Sequence, residues 1–339
     1  MNPNTCGTHN TQIKKVAVIG TGIAGLSCAS VLQSFDISVD IFEKSRGPSG
    51  RMSTRRTPEW SVDHGAQYFT ARDPRFRQEV KQWVKNGVAA IWNPRLRVYE
   101  AGLWSECHSQ ETRYVGTPNM NSPGKFLAED LSIQYEKTIS QLERRGSQWS
   151  LQCNEIGKIS ALYDFVVLAI PAPQASDLLK SLNTRASDIT DSAQMKACWT
   201  MMGYFPNQAT TNFDAAFINQ EIISWICQNG SKSLRRGRPM WTIHGNPSWS
   251  QENVELSKEA AQSQMMECLA SIGFDCQDAE ITMHRWRYAS GALEHPINFH
   301  LLPDINLGLC GDWLHGGRVE GGYLSGLQLA EAIIGPKEN

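Results

Sequence analysis

Several kinds of feature are missing from this 339-residue chain, and each absence removes a class of function. Charge of one sign is not in excess. Against 34 acidic side chains stand 32 basic ones, a formal net charge of −2, so neither nucleic acid nor an anionic membrane is an expected partner. No apolar run approaches the roughly 20 residues a helix needs to cross a bilayer. The longest, Phe165 to Ile170, has the length of a buried strand. Residues 1–12 are polar and lack the apolar core of a secretory signal, so they read as a disordered leader and the protein as cytoplasmic. Nine cysteines are scattered without a CxxC pair. That argues against a disulfide frame, a paired-cysteine zinc site and a dithiol reductase, and no metal is expected. There is no internal repeat, no second GxGxxG and no convincing acid–base constellation. What remains is an ordinary globular composition, 41% hydrophobic and 19% charged, long enough for two domains.

The most informative stretch present is Val16-Ala17-Val18-Ile19-Gly20-Thr21-Gly22-Ile23-Ala24-Gly25. A short β-branched run breaks into GxGxxG and continues into a helical pattern. The next apolar run, Val39 to Phe42, ends on Glu43. This is the order of a dinucleotide-binding βαβ unit. Gly20 allows a sharp turn, Gly22 allows backbone to approach a pyrophosphate, and Gly25 allows helix to pack on strand. The helix N-terminus offers free N–H groups to the phosphates, and Glu43 can accept from ribose hydroxyls. The motif alone leaves FAD and NAD open.

Three further elements narrow the choice. Arg46-Gly47-x-x-Gly50-Arg51 follows Glu43 directly, where Arg51 can pair with a phosphate oxygen. Asp63-x-Gly65-Ala66-Gln67-Tyr68-Phe69 combines small residues that can lie against a flat ring with groups that orient and stack. Gly311-Asp312 ends a strand pattern, Ile305 to Leu309, and a glycine-rich stretch leads into a terminal helix near Leu324 to Ile334. A carboxylate there suits a ribityl chain or phosphate, and the helix start suits the pyrimidine edge of a flavin, where negative charge grows on reduction. Trp199, Trp241, His244, Trp286 and Tyr288 could shape a slot for a flat substrate, although most tryptophans read as core.

The expected fold is α/β: a Rossmann-type parallel-sheet domain that binds FAD, split by an inserted mixed α+β substrate domain of antiparallel sheet and helices. Residues 13–72, 126–185 and 292–339 are assigned to the first, 73–125 and 186–291 to the second. Expected elements include a helix over 74–86, a strand over 96–99 and a hairpin of 135–142 with 149–153. Strands over 200–205, 240–244 and 280–288 surround a helix over 252–271.

Together the glycine fingerprint, Glu43, the Arg-Gly loop and the terminal Gly-Asp element resemble the FAD-dependent amine-oxidase superfamily. Within it, several blocks are similar to the bacterial renalase group: IGTGIAGLSCA (19–29), EKSRGPSGRMS (43–53), DHGAQYFTARDPRF (63–76), LAIPAPQAS (168–176), HRWRYA (284–289) and CGDWLHGGRVEGGYLSG (310–326). The similarity runs through nearly the whole chain from about residue 14. It implies a flavoprotein oxidising misreduced nicotinamide dinucleotides. The 1,2-dihydro isomer of NAD(P)H, and in animal relatives the 1,6-dihydro isomer, gives NAD(P)+ by hydride transfer to the flavin. O2 then reoxidises the flavin and yields hydrogen peroxide. On this basis Gln67, Tyr68, Phe69, Thr70, Ala71, Trp199, His244 and Arg318 are expected at the substrate, with no acid or base required. Gly20, Gly22, Ile23, Ala24, Gly25, Glu43, Lys44, Arg51, Ala66, Gln67, Ile139, Gly311, Asp312, Val319, Glu320, Gly321 and Leu324 are expected at a non-covalently held FAD. The chain departs from the group at Ser49, where a loop glycine is expected, at Ser290-Gly291, and in the basic run Arg95 to Val98. A flavin amine oxidase acting on a small amine, or a non-enzymatic FAD- or NAD-binding redox sensor, would share the cofactor motifs.

Overall fold

Two sheets hold most of the strands of the computed structural model, which describes residues 13–182, 186–208 and 211–335. The expected leader lies outside these residues. The first sheet has six strands in the order His300–Leu302, Leu307–Leu309, Phe165–Leu168, Lys15–Ile19, Ser38–Glu43, Ile133–Tyr135. All neighbours are parallel except the first pair. Val16 to Ile19 and Phe165 to Leu168 are buried, the near-continuous apolar pattern of strands covered on both faces. Ile19 lies in register with both Phe42 and Leu168. Leu168 in turn lies in register with Leu309, so four strands end along one edge, and three of the loops after them, 20–22, 169–171 and 311–312, meet there.

The second sheet runs Glu280–Ser290, Lys196–Tyr204, Met240–Gly245, Ile223–Gln228, Ala215–Asn219, Leu96–Glu100, Leu103–Glu106. It is antiparallel but for the pairing of Ala215–Asn219 with Leu96–Glu100. Helix Lys258–Ser271 buries Ala261, Met265 and Leu269 against Trp199, Met201 and Ile243 of this sheet.

Several sequence expectations need correction. The terminal helix begins at Val319 and not near Leu324. Its glycines do not break it; they let it approach its neighbours. A Cβ on Gly321 would lie 2.0 Å from His315 O, and one on Gly326 2.0 Å from Ala24 O. The helix expected over 252–271 starts only at Lys258 and runs to Ser271, while Glu252 ends a separate short helix, Pro247–Glu252. Asn246 and Ser257 cap their starts, each accepting from backbone N–H groups of the first turn. The strand expected over 135–142 divides: Ile133–Tyr135 joins the parallel sheet, and Ile139–Arg145 pairs with Gln148–Cys153. Strands Ala215–Asn219 and Ile223–Gln228 were not anticipated, being short apolar runs that periodicity alone does not assign. Within 73–125, only the segment Leu96–Glu106 enters the second sheet. Phe76, Val80, Trp83 and Ala89 pack instead with Ile23, Tyr323 and Leu324, against the two long helices beside the first sheet.

Candidate active site

A cavity of about 310 Å³ opens at the carboxyl edge of the parallel sheet, between it and the second sheet. Gly20 makes the turn at φ +102°, donating to Phe42 O at 2.9 Å. A Cβ on Gly25 would sit 2.1 Å from Gly20 O, so only glycine lets helix Ile23–Ser34 start this close to the strand. A Cβ on Gly22, by contrast, would meet nothing within 4 Å: it would project into open space beside the loop. Helix Ile23–Ser34 has no side-chain N-cap, and neither has Val319–Ile334. Gly22 to Ala24 and Arg318-Val319 both line the cavity. Two helix starts with unsatisfied N–H groups thus face one space, where one suits a pyrophosphate and the other developing negative charge on a ring. These features fit a flavin dinucleotide.

Glu43 is buried under the glycine loop. Its Oε2 accepts from the Thr21 amide (2.9 Å) and Oγ1 (2.7 Å), and its Oε1 from the Ser45 amide (2.8 Å). A carboxylate has about four acceptor sites, so one remains for a ribose hydroxyl. Lys44 is exposed. Arg51 and Asp312, expected to act separately, are brought together: Nη1 meets Oδ2 at 3.0 Å and Nη2 meets Oδ1 at 2.5 Å, and Nη1 also reaches Ala289 O at 3.2 Å. Both line the cavity, as do Ala66 and Gly311.

Other expected cofactor residues lie elsewhere. Glu320 turns away and accepts from the amides of Arg72 (2.6 Å) and Asp73 (2.7 Å), pinning the segment after Ala71 to the terminal helix. Ile139 is buried in the core with Phe42 and Leu142, Leu324 packs with Met52 and Phe76, and Gly321 serves helix packing.

The substrate expectations shift by a few residues. The wall is His64-Gly65-Ala66, and the Gln67–Ala71 run lies behind it. Gln67 is buried, donating to Asp63 O (2.6 Å) and Gly65 O (3.0 Å). Tyr68 packs among Trp92, Trp225 and the guanidinium of Arg113. Phe69 belongs to the core beside Trp83 and Tyr114; Thr70 is half-buried, and Ala71 packs on that core. Trp199 is 1% exposed in the core of the second sheet, its indole N–H on Asn253 O at 3.0 Å, so it cannot orient a substrate. His244, Arg318 and Trp286 do line the cavity.

Sequence reasoning missed His64. Its ring stacks on Trp286 (centroids 5.0 Å apart, 26° between planes) and meets His284 edge-on at 4.8 Å. Its carbonyl accepts from Trp286 Nε1 (3.0 Å) and faces His244 Nε2 (3.3 Å), which requires the Nε2–H tautomer of His244. Burial, then the neighbouring His284, Arg55 and His244, push His64 down to about 3. Burial likewise pushes His244 down to about 4, despite its contact with His64, and His284 to about 4, helped by Arg55 and Lys258. All three are neutral at pH 7. Burial raises the Cys198 thiol, also at the wall, to about 11, so it carries no thiolate. The sole carboxylate lining the cavity among the described residues is Asp312, already paired with Arg51.

Comparison with known proteins agrees with this geometry. The sequence model of the family "Flavin containing amine oxidoreductase" matches residues 84–334, and that of the "NAD(P)-binding Rossmann-like domain" matches 18–83. A 76-residue stretch is 37% identical to a tRNA 5-methylaminomethyl-2-thiouridine biosynthesis bifunctional protein of Magnetococcus marinus, covering 19% of this chain and only 11% of that protein. Among solved structures, a protein assigned as a protoporphyrinogen oxidase from Exiguobacterium sp. 255-15 superposes with a TM-score of 0.77 at 12% identity, over 95% of this chain and 98% of that one. A putrescine oxidase bound to putrescine gives 0.71 at 12% identity, over 95% and 99%. At such identities the likeness speaks for the fold alone.

Proposed function

This chain belongs to the flavin-containing amine oxidoreductase family, and from that premise we propose that it is an FAD-dependent oxidase of the renalase type. Its substrates are 1,2-dihydro isomers of NAD(P)H, which it converts to NAD(P)+. The observation that carries this reading is the character of the cavity wall. Its two histidines, His64 and His244, are neutral, as is His284 packed against His64, and the one carboxylate lining it is bound to Arg51. A protonated amine would find no free counter-charge there, whereas an uncharged dihydronicotinamide needs none.

A bound flavin supplies a two-electron acceptor that O2 restores, with hydrogen peroxide as product. A dihydronicotinamide already has a ring-nitrogen lone pair to expel a hydride, so the protein has no proton to remove and its task is placement. His64 and Trp286 offer a stacked planar surface, and His244 is fixed beside them. Arg318, at the exposed start of the terminal helix, is positioned for the anionic part of a dinucleotide. Arg51 and Asp312 hold the loop after the last parallel strand against the end of strand Glu280–Ser290.

The test is anaerobic mixing of the yellow holoprotein with 1,2-dihydro-NAD. Bleaching of the flavin within seconds at saturating substrate is expected. Membership of the family also supports oxidation of a small amine. Turnover of putrescine or a related amine, without bleaching by any dihydronicotinamide, would replace the present reading with that one.

A further inference from the structure

Behind the His64–Ala66 wall lies a buried charge cluster that the reaction as described does not use. Asp63 is fully buried. Its carboxylate accepts from Thr54 Oγ1 (2.7 Å), the Met120 amide (3.0 Å), Lys232 Nζ (3.2 Å) and Arg235 Nη2 (2.6 Å). The side chains of Lys232 and Arg235 are 0% and 1% exposed, so two buried cations share one buried carboxylate. Their other contacts are uncharged. Lys232 reaches Gln67 Oε1 at 3.0 Å and the face of Trp92 at 5.8 Å; Arg235 donates to Gly116 O at 2.9 Å and Pro118 O at 2.6 Å. The two cations hold Asp63 at about 2, although burial alone would raise it.

Leaving a buried charge without its own counter-charge is costly, and its place is specific. Lys232 grips Asp63 and Gln67, the two ends of the turn whose middle residues line the cavity. It also helps keep His244, on the same wall, unprotonated. We propose that Lys232 places an uncompensated positive charge behind this wall, where it favours the reduced, negatively charged form of a flavin in the cavity and so raises its reduction potential. The proposal rests on the flavin site of the preceding reading, not on which molecule reduces it.

Sulfite tests it without any substrate. It adds to oxidised flavin through its sulfur lone pair and leaves the new negative charge on the ring, so its affinity reports the local field. Titration of the wild-type holoprotein with sulfite should bleach the flavin. In Lys232→Gln, which keeps a donor for Asp63 and Gln67 but removes the charge, sulfite should bind at least about tenfold more weakly. The midpoint potential should fall by the same factor, about 30 mV for a two-electron couple. Lys232→Arg should restore most of both. A folded Lys232→Gln with unchanged potential and sulfite affinity reduces Lys232 to a structural role and overturns the proposal. So does a wild-type protein that binds no sulfite, which decides the matter even where the variant fails to fold. Sulfite binding without reduction by dihydronicotinamides would overturn only the substrate reading.

Discussion

The glycine loop with its two helices and the segment Asp63–Ala71 lie against the same cavity but relate to it differently. On the glycine side, the cavity is shaped by backbone: turns at positive φ, uncapped helix ends and positions where a Cβ would collide. On the other side it is shaped by side chains whose exposure depends on partners far away in sequence, such as Trp286 over His64 and Lys232 under Gln67. Small residues therefore determine the first side one position at a time. The second works as a cluster.

The sharpest test sets two glycines against each other. In Gly326→Val the new Cβ would stand 2.0 Å from Ala24 O, a backbone atom that cannot step aside. The variant should lose at least about 3 kcal/mol of stability by urea denaturation. Gly22→Ala meets nothing within 4 Å, so its stability should stay within about 0.5 kcal/mol. Its FAD affinity should fall about tenfold, roughly 1.4 kcal/mol. If both variants unfold equally, the glycine side is packing alone.

Next comes pH. The folded-state values of His64, His244 and His284 are depressed from 6.5 to about 3, 4 and 4. The unfolded chain therefore binds protons below pH 6.5 that the folded chain refuses. Stability is fully present above about pH 6.5 and falls as pH drops toward 4, by on the order of 1.4 kcal/mol per pH unit for each histidine. Denaturant midpoints at pH 7 and pH 5 check this. Flavin reduction by a dihydronicotinamide should stay flat from pH 6 to 8, because none of these groups titrates there. A step near pH 6.5 would break the picture of a neutral wall.

How far each side could be read in advance follows from the same contrast. Gly20 makes the expected turn and Gly25 the expected close approach of helix to strand, and Gly22 has open space beside it, because such features are local. Of the segment Asp63–Ala71, only His64, Gly65 and Ala66 line the cavity. Nothing in the local order says that His64-Gly65-Ala66 face the cavity while Gln67 and Phe69 turn inward. That is decided by Lys232, Trp286 and Tyr114, from 45 to 222 residues away. Among eleven tryptophans the sequence also had no means to separate Trp199 from Trp286. Those two stand on neighbouring strands, near one another in register. Trp199→Phe should lower stability by about 1–3 kcal/mol and leave KM unchanged. Trp286→Ala should raise KM for 1,2-dihydro-NAD about tenfold. Equal effects on KM would erase the distinction drawn between core and wall.

The smallest expected effect concerns Ser49, where one side chain intrudes on the glycine side. It sits at φ +93°, where relatives are expected to have glycine, and is 1% exposed at the cavity edge. Removing the strain in Ser49→Gly would contribute about 1–3 kcal/mol. Against this, the variant loses the bond from Oγ to Asn121 O at 3.1 Å, about 1 kcal/mol. The freer unfolded chain costs another 0.4–1 kcal/mol, roughly. The terms nearly cancel, so the midpoint of urea denaturation should move by less than about 1 kcal/mol equivalent. The amide of Ser49 still bonds Thr21 O at 2.9 Å whatever the side chain, and FAD affinity should be unchanged. A large loss of affinity would mean that this one hydroxyl, and not backbone alone, shapes the cofactor side of the cavity.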